Sequence, residues 1–238
     1  TNLPQLKRNN QMITSFTCNQ EKACSVAGFQ GITQTGMYVG LITQCEISDK
    51  NAKGEPGATF VEIAFKANSW KMKDAAGNIS EGTGEAMAFI RTYITNRAGD
   101  RAFGHDIIDA LMAVLKIDKM DTQPAKVYDR NYRNNKQTHD GYRIPALEKQ
   151  IVGLLLQREN DGYTDSKGEY HESYRLNIIT PFDAKTKQCA KEVLQGSEAT
   201  IVESRFASLK DKNKAPQPSR SSGSAPVDAA PTEDDYPF

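Results

Sequence analysis

Residues 86–95, AMAFIRTYIT, set Phe89, Arg91 and Tyr93 two positions apart. In a strand whose Ala88, Ile90 and Ile94 face a core, Met87, Phe89, Arg91 and Tyr93 share the other face, at about 6–7 Å per step. Rings at that spacing can stack the bases of an extended single strand, and a guanidinium between them can meet phosphate or a base face. The opposite phase would bury Phe89 and Tyr93, at the cost of burying Arg91 without a partner. A second group is KANSWKMK, expected as a loop after the second strand, with Lys66, Trp70, Lys71 and Lys73. The single tryptophan beside lysines suits stacking and phosphate contact, or else a lid over one end of the fold. A third is the polar segment 118–149. Within it Tyr128, Arg130, Tyr132, Arg133 and Arg143 alternate aromatic with basic side chains, joined by Lys126, Lys136 and Tyr142. That is the composition of a nucleic-acid-contacting insertion, or of a charge-rich solvated loop. Arg175 and His171 are weaker additions.

Catalytic groupings are thin. His105, Asp106 and Asp109 could approach a metal, but they sit at a helix start, where acids are favoured without one. Cys18, Cys24, Cys45 and Cys189 form no CxxC pair and no zinc spacing. They read as reduced thiols. The glycines at 77–84 lack the lysine and hydroxyl residue of a phosphate-binding loop. No enzyme activity, metal or cofactor is expected.

The elements that must position these residues follow from periodicity. Residues 38–48 alternate with Val39, Leu41, Cys45 and Ile47 on one side; 58–66 place Val61, Ile63 and Phe65 on one face. With turn residues 51–57 between them, the two form a hairpin. Strand 86–95 follows the glycine-rich stretch 74–85. Helix 104–117 carries Ile107, Ile108, Leu111, Met112, Val114 and Leu115 at helical spacing. Strands 151–158 and 170–180 make a second hairpin, ended by Pro181. A short helix over 183–196 closes at Gly196. Strand, strand, strand, helix, strand, strand is the element order of the OB-fold, a mainly β, five-stranded Greek-key barrel; another α+β sheet could carry the same order. This domain is expected over residues 1–206, with 118–149 as a basic insertion. From 207 the Pro-, Ser- and Lys-rich composition predicts a disordered linker and tail to 238.

The 238 residues hold 30 basic and 30 acidic side chains, and a neutral total argues against a nucleic-acid binder. The charges are not evenly mixed. Four of the acids, Asp228, Glu233, Asp234 and Asp235, fall in the last eleven residues, so positions 1–227 carry four more basic than acidic residues. No run approaches the apolar length of a membrane span. The opening residues lack the charged-then-apolar pattern of a secretory signal and read as a mature end.

The end of the chain is the most specific feature. Glu233, Asp234, Asp235, Tyr236, Pro237 and Phe238 resemble the tail tip of bacterial single-stranded-DNA-binding proteins. Phe238 could fill an apolar pocket, its carboxylate could meet an arginine, and the acids could steer approach to a basic rim. The body is similar to bacteriophage proteins of that class in YVGLITQCEIS…GATFVEIAFK and in GHDIIDALMAVLKI, a likeness running in outline over 36–180. The 118–149 insertion departs from the compact bacterial pattern, so the homotetramer of that pattern is not implied. The resemblance implies an OB-fold that coats single-stranded DNA in phage replication or recombination, in the cytoplasm of a bacterial host. It also implies a tip, Asp234 to Phe238, that recruits replication and repair proteins. A strand-annealing recombination protein would share the same face, and self-association is open under either reading.

Overall fold

The computed structural model describes residues 30–50, 56–74, 76–128, 138–164 and 167–213. The chain is mainly β, with few helices. In chain order the elements are β1 (Gln30–Gly31), β2 (Gly36–Lys50), β3 (Pro56–Lys73), β4 (Ile79–Tyr93), α1 (Gly104–Leu115), β5 (Gln123–Tyr128), β6 (Thr138–Arg143) and β7 (Ile151–Asn160). There follow β8 (Tyr163–Thr164), β9 (Tyr170–His171), β10 (Tyr174–Phe182), α2 (Ala190–Gln195), α3 (Ile201–Ser208) and β11 (Lys212–Asn213). The five long strands run β4-β3-β2-β7-β10, each antiparallel to its neighbours. The far edge of β2 is divided: β7 takes Gly36 to Leu41, and β6 takes Glu46 and Ile47. Among the described residues no ladder joins β4 to β10.

Two cores lie on opposite sides of this sheet. The larger gathers Val61, Ile63 and Phe65 of β3, Ala88 and Ile90 of β4, and Leu154 and Leu156 of β7. Ile107, Ile108, Leu111 and Val114 of α1 pack onto it, as their helical spacing requires. The smaller joins Met37, Leu155 and Phe182 to Cys189, Val202 and Phe206, which α2 and α3 bring over the sheet. The Phe182 ring packs on Gly153, where an added Cβ would fall 2.0 Å from a ring carbon.

Several expectations are corrected. β2 does not keep one phase: Tyr38 and Ile42 are in the larger core, a register shift intervenes between Ile42 and Gln44, and Cys45 then turns inward. A bulge adds one residue and so exchanges the faces. The expected loop KANSWKMK is the second half of β3, and residues 79–85 are strand as well. Glycine set that stretch apart from the expected strand 86–95, but Gly82 and Gly84 make room for the indole of Trp70 across the strand pair. The actual turn is at 74–78, where the Asp74 carboxylate accepts the N–H groups of Ala76 and Asn78. The basic insertion contains a hairpin, β5–β6, with Val127 buried beneath it. Pro181 does not end its strand, since β7 is the only described ladder partner of β10 and an edge strand tolerates the missing N–H. The chain is still folded after 207. Helix α3, not foreseen in the sequence, runs to Ser208, and Lys212 and Asn213 pair with the end of β7. Residues 1–29 and the expected linker from 214 lie outside the described residues.

Candidate nucleic-acid interface

Phase decides what β4 can present. Ala86, Ala88 and Ile90 are buried, while Phe89 is 49% exposed on the opposite face. Register then places Phe60, Glu62, Ala64 and Lys66 of β3 directly across from Tyr93, Arg91, Phe89 and Met87. These eight residues share one face, since directly paired residues point the same way.

Arg91 is held from three sides. Its guanidinium donates to Glu62 Oε2 at 3.2 Å and lies 4.0 Å over the Phe60 ring, which meets Tyr93 edge-on at 5.9 Å. Burial works against its charge, but Glu62 and Tyr93 outweigh it and hold its pKa above the ordinary arginine value. An arginine so neutralised is a weak phosphate ligand and a well-fixed planar surface.

A cleft of about 690 Å³ opens between β4 and β10. Its floor is apolar, from Ile32, Ala88, Leu176 and Ile178. Phe89, Arg91 and Tyr93 line it from β4, Tyr174 and Arg175 line it from β10, and Phe103, just before α1, lines it too. Arg175 donates to Glu159 Oε1 at 2.8 Å, and Asn177 donates to the other oxygen of that carboxylate at 2.7 Å. The Arg158 guanidinium lies 4.6 Å over the Tyr174 ring. Phe103, Tyr174 and Arg158 had no mark in the sequence. Tyr174 falls there inside the expected strand 170–180, with nothing to set it apart from its neighbours.

The other expected site residues are dispersed. Lys66 shares the Phe89 face and pairs with Glu85 at 2.5 Å. Trp70 points inward and packs against the larger core. Lys71 and Lys73 approach the Phe206 ring of the smaller core, away from the cleft. Lys71 pairs with Glu203 at 3.1 Å, and Lys73 donates to the carbonyls of Phe206, Ala207 and Leu209, closing the end of α3. The four residues are therefore not one DNA-facing loop, because a strand sends alternate side chains to opposite faces. Arg143 makes a two-point pair with Glu148, at 2.9 and 2.8 Å. Tyr128 closes β5. Arg130, Tyr132 and Arg133 lie outside the described residues, as do Asp234, Asp235, Tyr236, Pro237 and Phe238. At the start of α1, Arg101 donates to both Asp106 and Asp109, and no cluster of three metal-ligating side chains occurs among the described residues. No helix among them is long and apolar enough to cross a membrane.

No family model matches this chain, and no solved structure matches it. It is similar to elongation factor Ts of Lactiplantibacillus plantarum, 24% identical over 183 residues. The match covers 72% of this chain and 57% of the relative, so the chain spans little more than half of that protein's length.

Proposed function

We propose that this protein is a non-catalytic, sequence-tolerant single-stranded-DNA-binding protein that coats DNA during phage replication or recombination in a bacterial host. The observation that carries the reading is the row Phe89, Arg91, Tyr93 on one face of β4, lining the cleft with the Phe89 ring half exposed. The path β4-β3-β2-β7-β10, with α1 between β4 and β7, supports an OB-fold: numbered along the chain, these five strands run three-two-one-four-five, that fold's order up to the closure between strands three and five. The basic residues of the β5–β6 hairpin extend the surface available to the DNA backbone. The terminal Asp-Asp-Tyr-Pro-Phe sequence recruits replication and repair proteins.

The test is fluorescence anisotropy of a labelled dT oligonucleotide titrated with the full chain at several salt concentrations. Binding occludes about 4–16 nucleotides per fold, and weakens with salt by a log–log slope of about −0.7 per phosphate neutralised. Phe89→Ala and Tyr93→Ala each reduce affinity about tenfold, the ordinary worth of one stacked base. Failure of the intact chain to bind at low salt refutes the function.

A further inference from the structure

Resting on that reading, we infer that the β4–β10 cleft admits the bases of the strand and turns its phosphates away, with Phe103 and Tyr174 as base-contacting residues. The two guanidinium groups lining the cleft, Arg91 and Arg175, are each tied to a carboxylate, Glu62 and Glu159, and Glu159 is only 2% exposed. Two more carboxylates, Asp161 and Glu172, line the opening. In the lining two guanidinium groups face two carboxylates, and both guanidinium groups are already tied to Glu62 and Glu159, so the interior has little to attract a phosphate and nothing to repel a neutral base.

Phe89, Phe103 and Tyr174 are 49%, 39% and 40% exposed, all on the lining of one cleft with an apolar floor. Soluble proteins seldom leave several large rings exposed around a single depression unless something enters it. The Arg158 guanidinium behind Tyr174 fixes that ring, so a base stacking on it loses little side-chain freedom. The cations that do meet phosphates must then lie outside the cleft. Binding separates into a base part inside, insensitive to salt, and a backbone part outside that salt weakens.

The experiment compares the full chain with its Tyr174→Ala and Phe103→Ala variants, using the labelled dT oligonucleotide across a range of sodium chloride concentrations. An abasic deoxyribose-phosphate oligomer of equal length serves as a second probe, and thermal melts check that the variants fold. Each substitution is expected to weaken binding about tenfold while keeping the salt slope of the intact chain. The abasic oligomer is expected to bind the intact chain at least tenfold more weakly than dT. Unchanged affinity in both folded variants overturns the inference, as does a flattened slope, which would mark a phosphate site. So does equal binding of the abasic oligomer, an arm that needs no variant to fold. In these outcomes the intact chain still binds dT and the single-strand function stands; absence of dT binding removes both.

Discussion

Glu192 should govern the acid stability of the C-terminal helix pair. Its side chain, 2% exposed, accepts the Cys189 N–H at 2.8 Å on one oxygen, and the Thr200 and Ile201 N–H groups at 2.6 and 2.8 Å on the other. One carboxylate thus serves the N-terminal ends of both α2 and α3, where helix dipoles favour negative charge. Burial by itself would raise its pKa. The N–H groups of Thr200, Ile201 and Cys189 overrule that and lower it from 4.5 to about 2. At about 1.4 kcal/mol per pH unit, this corresponds to about 3 kcal/mol favouring the folded state at neutral pH. The bonds suggest the same size: Glu192→Gln turns an amide NH2 toward one N–H donor and removes the charge from the other bonds, about 2–3 kcal/mol together. Since the folded-state pKa lies below the unfolded one, the contribution is complete above pH 4.5 and is lost as pH falls toward 2. Urea unfolding of the intact chain and of Glu192→Gln, from pH 7 down to pH 2, measures it. The variant should melt about 4–12 °C lower at pH 7 and lack this part of the acid loss. Equal stability at pH 7, or an unaltered acid limb, would refute the reasoning.

Gly82→Val should cost about 1–3 kcal/mol and shift Trp70 emission, because its Cβ would fall 2.9 Å from indole atoms in a packed strand pair; a melt and emission spectrum like those of the intact chain would count against it. Since Trp70 faces the core, dT binding should leave its emission nearly unchanged, and strong quenching would place DNA at the other end of β4. Deleting residues 228–238 should tighten DNA binding at low salt, by removing four acids that compete for the basic surface, and should abolish partner recruitment in a pull-down. Unchanged affinity and unchanged recruitment would reduce the tip to a solubilising tail.

The parts of the fold legible in the sequence were those where side-chain period and burial coincide. The Val61-Ile63-Phe65 face, the α1 stripe and the glycine closing α2 all follow local rules that tertiary contacts left intact. Composition misled where a residue served a distant partner. Gly82 and Gly84 kept 74–85 out of the expected strand, yet they accommodate an indole from the neighbouring strand. Lysines 71 and 73 suggested a phosphate-binding loop, yet they point to a helix more than a hundred residues away in the chain. The cleft was half legible: alternation marked Phe89, Arg91 and Tyr93, but nothing local announced that β10 would bring Tyr174 opposite them. Pairing between strands far apart in sequence leaves no periodic trace in either one.

The two outermost described segments meet. The Thr35 hydroxyl donates to Asp211 at 2.5 Å and accepts the Arg158 N–H at 2.9 Å, while Gln157 donates to the Lys210 carbonyl at 2.8 Å. The strands between them therefore form a nearly closed circuit of chain, with entry and exit on the same stretch of β7. Such a circuit can be cut elsewhere. Joining residue 213 to residue 30 through a short linker and opening new ends between β2 and β3, at 51–55, would keep every long-strand ladder. A fluorophore or second module attached at those new ends would leave the body from the β2–β3 connection, free of both segments that now share β7.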